Sequence, residues 1–87
     1  MILLVTYDFK QPLGSYTEFF DVLKGKENWW HYLSSTWLVY TDESPKELQQ
    51  QLVPLTFKGD RFLITELSSN RAGWLPTKAW DWIKTRE

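Results

Sequence analysis

Three features of the sequence predict an α+β fold. Apolar residues alternate along Ile2–Phe9 and Arg61–Leu67, helix start signals stand at Ser15 and Ser44, and an aromatic, β-branched run from Trp29 to Thr41 separates the two helical segments. The order is strand, helix, strand, strand, helix, strand, with a short terminal helix. Two split βαβ halves with right-handed crossovers make a ferredoxin-like βαββαβ sandwich: a four-stranded antiparallel sheet with two helices on one face and a short C-terminal helix. At 87 residues the chain has room for one such domain, spanning 1–87.

The first strand places Leu3, Val5, Tyr7 and Phe9 on one face and Ile2, Leu4, Thr6 and Asp8 on the other. Both faces begin apolar, as in a central strand covered on two sides. Pro12 and Gly14 break it. Ser15-Tyr16-Thr17-Glu18 has capping-box spacing, so a helix is expected from Ser15, with Tyr16, Phe19, Phe20 and Leu23 at helical intervals and Gly25 ending it in the left-handed conformation. The run from Trp29 to Thr41 is too long for a usual strand. It divides into two antiparallel strands bending near Ser34-Ser35, or remains a single bulged strand, since no Asn-Gly pair marks the bend.

Ser44-Pro45-Lys46-Glu47 repeats the start signal, with Pro45 at the first helical position, Leu48 and Leu52 as the buried stripe and Pro54 as the stop. Lys58-Gly59-Asp60 reads as a turn before the last main strand. Pro76-Thr77 opens the terminal helix, with Ala79, Trp80 and Ile83 on one side. With two helices on one face, the other face stays bare although Ile2, Leu4, Leu63 and Leu67 make it apolar. The terminal helix and a second subunit are the two candidates to cover it, so these four residues are the expected dimer interface.

Composition narrows the functional classes. Hydrophobic residues are 43% and aromatics 17% of the chain, so it should fold, and much of its core should be rings. There is no Cys and a single His, His31, which excludes disulfides, thiolate metal sites and histidine clusters. The longest apolar run, Met1–Val5, is too short to span a membrane, and the protein reads as soluble and cytoplasmic with no membrane partner. A net charge of −1 supplies no bulk attraction for nucleic acid. Any such contact needs a local rim, for which Lys10, Lys58, Arg61 and Arg71, together with Lys24 and Lys26, are the candidates. Trp29, Trp30, Trp37 and Trp74 are candidates for base stacking or for packing, and packing is the preferred reading.

Val5-Thr6-Tyr7-Asp8, the run from Trp29 to Trp37 and the Phe62-Leu63-Ile64 strand resemble short bacterial proteins labelled SinR family. More distantly they resemble the ferredoxin-like CRISPR-associated protein that bridges the two halves of the spacer integrase, and virulence-associated protein D. The resemblance covers most of Met1–Leu67. It implies a homodimer with its two sheets close together, acting as an adaptor, and for the CRISPR-associated relatives a metal-dependent nuclease. There the aspartate matching Asp8 approaches its symmetry mate, and the pair is proposed to hold a divalent cation such as Mg²⁺. This chain lacks their basic surface.

Asp8 is therefore the one candidate catalytic and metal-binding residue. A carboxylate at a strand end could hold Mg²⁺ with its dimer mate and orient a water for phosphodiester attack. It could equally accept hydrogen bonds from the turn amides that follow it. His31, among large apolar neighbours, reads as structural. The preferred function is a small homodimeric interaction module with a protein partner and no cofactor. The alternatives are a nuclease using Asp8 of both subunits and a nucleic-acid-binding protein without catalysis.

Overall fold

In a computed structural model, which describes residues 1–87, the chain forms β1 (Ile2–Asp8), α1 (Thr17–Lys24), β2 (Asn28–Leu33), β3 (Thr36–Tyr40), α2 (Pro45–Leu52), β4 (Arg61–Glu66) and α3 (Thr77–Lys84). The strands make one sheet in the order β2-β3-β1-β4, and every pairing is antiparallel. This is an α+β architecture with three helices, compatible with a ferredoxin-like sandwich. No helix is long and apolar enough to cross a membrane.

β1 is central because its neighbours use both of its edges: Val5 lies opposite Trp37 of β3 and Ile64 of β4. Directly opposed residues share a face, so the strand alternation sorts the core into two layers. Leu3, Val5, Tyr7, Trp37 and Val39 point to α1 and α2 and close over Tyr16, Phe19, Leu23, Leu48 and Leu52. Ile2, Trp30 and Leu38 point the other way and close over Ala79 and Ile83 of α3. The terminal helix thus supplies cover for the second face within one copy of the chain.

Two local expectations need correction. No capping box forms at Ser15: Leu13–Tyr16 is a 3-10 turn, α1 starts at Thr17, and Thr17 Oγ1 donates to the Gly14 carbonyl at 3.1 Å. The reason is Tyr16, fully buried, whose ring stacks on Phe9 with centroids 3.7 Å apart. Turning that ring inward tightens the first turn at the expense of the cap. Gly25 ends α1 at φ −79°, within the right-handed region, so its lack of a side chain is not used for a left-handed cap.

The second helix follows its sequence. Ser44 Oγ accepts from the Glu47 amide at 3.1 Å, and the Ser44 amide donates to Glu47 Oε1 at 3.0 Å. The Trp29–Thr41 run does split at Ser34-Ser35, and neither serine takes a positive φ. A two-residue hairpin normally needs positive φ to match strand twist. Here a register shift between Trp30 and Leu33 absorbs the mismatch as a bulge in β2.

Two substitutions test this architecture. Ser44→Ala should lower unfolding free energy by about 1 kcal/mol, the usual loss of a helix cap. Ile83→Ala should lower it by about 2–5 kcal/mol if α3 is a docked part of the core. Both are read by urea denaturation, and an Ile83→Ala change under about 0.5 kcal/mol would mean that α3 leaves the second face bare.

Candidate functional site

The C-terminal end of β1 and the start of β4 bring most of the singled-out polar residues to one end of the sheet. Asp8 lies opposite Arg61 in the ladder. Its side chain is 72% exposed, and its partner is Lys10, with Nζ 3.6 Å away. The Lys10 chain passes over Gly59, and Lys58 precedes that glycine in the turn. A shallow cleft of about 300 Å³ runs along Thr6, Asp8, Arg61 and Leu63. Lys10, Lys58 and Arg61 therefore share this end. Arg71 does not: it follows the far end of β4, where its guanidinium donates to the Ser68 carbonyl and pairs with Glu87. No group of three or more His, Cys, Asp and Glu side chains gathers here or elsewhere in the chain in an arrangement able to hold a metal ion.

The turn amides that Asp8 was expected to accept are taken by Asp60. Asp60 accepts from the Lys10 amide at 2.7 Å, from the Phe57 amide at 2.8 Å and from the Tyr16 hydroxyl at 2.8 Å. The Tyr16 oxygen in turn accepts from the Gln11 amide at 3.1 Å. One carboxylate thus ties the strand end, the 3-10 turn and the β4 approach together. The approach is a type II turn: Asp60 N donates to Phe57 O at 3.1 Å, and Gly59 sits at φ +89°. Burial pushes the Asp60 pKa up, but the amides of Lys10 and Phe57 and the Tyr16 hydroxyl outweigh it and hold the carboxyl below the ordinary aspartate value of 3.8.

A second polar network joins the two helices' flanking loops. Glu43 pairs with Lys26 at 2.6 Å, accepts from Thr41 Oγ1 at 3.1 Å and from Gln51 Nε2, while Lys26 also donates to Gln51 Oε1 at 2.7 Å. The Lys26 hydrogen bond lowers the Glu43 pKa, burial opposes it, and Gln51 and Thr41 add to the lowering. Every member is partnered, so the network fixes loops and leaves no free group for chemistry.

The aromatic residues sort by the same test. Tyr16, Phe9 and Tyr7 form a stacked column, and Phe20, Trp37 and His31 another, with His31 4.4 Å from Trp37. His31 Nε2 lies 3.2 Å from the Ser34 carbonyl oxygen. The ring is surface-facing yet engaged on one side and at one nitrogen. Trp30 and Trp37 are buried, Trp29 is exposed with the Lys24 ammonium over its ring, and Trp74 is 99% exposed. Trp74 stands at the rim of a groove of about 310 Å³ between α3 and the sheet, lined by Leu4, Trp30, Leu33, Leu67 and Trp80 among others. The buried indole N–H of Trp30 in its wall has no hydrogen-bond partner.

No protein-family model, curated protein or solved structure matches the chain.

Of the four residues expected at a dimer interface, Ile2 is 5% exposed beneath α3, Leu4 and Leu67 pack against the same cluster, and Leu63 is 61% exposed. An interface on this face would thus find Leu63 free and the other three largely occupied.

Asp60 and Glu43 are both more acidic folded than unfolded. Their stabilisation is therefore fully present above the ordinary values of 3.8 and 4.5 and is lost as pH falls through the lower folded values. Asp60→Asn and Glu43→Gln should each be less stable than wild type at pH 7 and lose less on acidification. Urea midpoints measured from pH 7 to pH 3 check this, and curves parallel to wild type would remove these carboxyls from the acid response. Gly59→Ala should destabilise by about 1–2 kcal/mol, because a side chain at φ +89° is strained.

Proposed function

We propose that this chain is a small homodimeric interaction module of the ferredoxin-like type, acting as an adaptor through its surfaces, as its resemblance to the CRISPR-associated and virulence-associated D proteins implies. The observation that supports this reading is the incomplete cover of the second sheet face. One eight-residue helix closes over Ile2, Trp30 and Leu38, while Tyr32, Leu33, Leu63 and Trp74 remain exposed around it. Large apolar residues left exposed around one short helix on a small domain favour a binding face. Asp60, Glu43 and Lys26, the positioned charged groups, are engaged in holding loops, which favours recognition over catalysis.

The reading predicts a solution mass of twice the monomer in light scattering at micromolar concentration. A single 10.4 kDa species up to millimolar concentration would rule out the homodimer.

A second reading, a divalent-cation nuclease using Asp8 of both subunits with Mg²⁺, is supported by the exposure of the Asp8 carboxylate, whose only ion-pair partner is the also exposed Lys10. The two readings part in one assay. The interaction module predicts that RNA and DNA incubated with Mg²⁺ or Mn²⁺ are cleaved no faster by wild type than by Asp8→Ala. A rate lost on that substitution would instead establish the nuclease. Nucleic-acid binding without cleavage would use Lys10, Lys58 and Arg61, which share one end of the sheet, and would weaken steeply with salt.

A further inference from the structure

The sheet has two edges, and they are protected differently. β2 carries the bulge between Trp30 and Leu33, a device that turns an edge away from foreign strands. β4 carries none. All six of its residues, Arg61-Phe62-Leu63-Ile64-Thr65-Glu66, pair with β1 in unbroken register, and none of them is buried. It contains no Pro, Gly or Lys, and its charges stand only at its ends. An extended, apolar, unblunted edge is a template for another strand.

The ladder determines which groups are free. The Leu67 amide donates to the Ile2 carbonyl at 2.9 Å, which makes Ile2 and Leu67 a hydrogen-bonded pair. Such pairs recur every second residue in an antiparallel ladder, so Leu4/Thr65, Thr6/Leu63 and Asp8/Arg61 are of the same kind. The N–H and C=O groups of Phe62, Ile64 and Glu66 consequently turn to the open side. Clefts flank this edge on both faces and share Phe62 and Leu63. One, of about 340 Å³, lies against Pro45, Lys46 and Gln49 of α2, and the other is the Asp8/Arg61 cleft. A strand added here has backbone partners and room for side chains on alternate sides.

We propose that the added strand is β4 of a second copy, paired antiparallel about a two-fold axis at Leu63, so that two four-stranded sheets become one of eight. The inference rests on the homodimer reading above and specifies its interface. Self-pairing in this register is chemically complementary. Phe62 of each copy exchanges backbone hydrogen bonds with Ile64 of the other, an aromatic against a β-branched residue on the helix-covered face. Leu63 meets Leu63 in a non-hydrogen-bonded pair, where side chains come closest, and this withdraws the most exposed apolar residue of the strand from water. Arg61 faces Thr65, so no like charges oppose within the strand, and Asp60, which comes opposite Glu66, has its carboxylate committed to the Lys10 and Phe57 amides and the Tyr16 hydroxyl. Sliding by one step to place Ile64 on the axis would press the Glu66 carboxylate against the Phe62 ring. The chain's net charge of −1 puts little repulsion between copies.

The chain has no cysteine, which makes a single introduced thiol decisive. In Leu63→Cys the two Cα atoms would be about 4.5–5.5 Å apart across the axis, within disulfide reach. In Thr65→Cys they would be offset by four residues, on the order of 13 Å, and out of reach. Mild oxidation should therefore cross-link Leu63→Cys nearly completely and leave Thr65→Cys single. Leu63→Lys, at an exposed position that leaves the monomer core intact, should raise the dimer dissociation constant about tenfold or more, the loss expected for a withdrawn leucine. A wild-type chain that is monomeric in light scattering overturns both the interface and the homodimer. A dimer that survives Leu63→Lys, or a Leu63→Cys variant that stays uncross-linked under oxidation, overturns the edge pairing while the homodimer stands.

Discussion

Everything in this fold answers to one constraint: β1 is apolar on both sides, and a two-sided strand must be covered twice. Leu3, Val5 and Tyr7 require α1 and α2 above them, while Ile2 and Leu4 require something below. In a chain of 87 residues both main helices are committed to one layer. The terminal helix is thereby recruited to the other layer, and it is only eight residues long. The helix-side layer is complete, and the opposite layer is closed at its centre and open around its margin.

Rings take up the demand on the helix side. Tyr16, Phe9 and Tyr7 stack in sequence, Phe19 packs edge-on against this column, and Phe20, edge-on to Phe19, passes the packing to Trp37. Such a column buries much area with few residues, but it places the Tyr16 hydroxyl inside the fold, where a polar group must be partnered. Asp60 meets that need, and the positive φ of Gly59 allows the turn that delivers it. A carboxylate that looks like a surface residue of a turn is thus a consequence of aromatic packing. Its three donors come from Lys10, Tyr16 and Phe57, so the polar end of the sheet is rigid where Asp60 stands and loose where Asp8 stands.

What could be read from the sequence was local or periodic. Alternation revealed the strands and their two faces, and Ser44 with Glu47 marked α2 because a capping box needs only four residues to act. Ser15 and Glu18 have the same spacing and form no box, because the burial of Tyr16 against Phe9 overrides a cap that contributes about 1 kcal/mol. The bend at Ser34-Ser35 was legible only as the middle of an overlong run, since its compensation is a bulge rather than a turn residue. Asp60 was missed as a structural centre because two of its three partners stand 50 and 44 residues away. Its visible signal was the Gly-Asp step of Lys58-Gly59-Asp60, which promised a turn but not what the turn would hold. Topology alone brings Lys58 and Arg61 beside Lys10, and the length of β4 separates Arg71 from them.

Where, then, does this molecule have freedom left to act? Catalysis needs polar groups that are positioned but not consumed, and here the positioned ones are consumed. Asp60 holds two amides and a hydroxyl, Glu43 and Lys26 hold each other, and Tyr7 receives the Trp37 indole. Asp8 is free but unpositioned, since a carboxylate mostly in water beside one lysine has no geometry imposed on it. Backbone groups are the reverse case. Along β4 the N–H and C=O groups are fixed by the ladder to β1, unused on their open side, and interleaved with Phe62, Leu63 and Ile64. Preorganised, unpaired and in an unbroken register, they are polar groups for which binding requires little further ordering, and an extended strand is the partner their spacing fits.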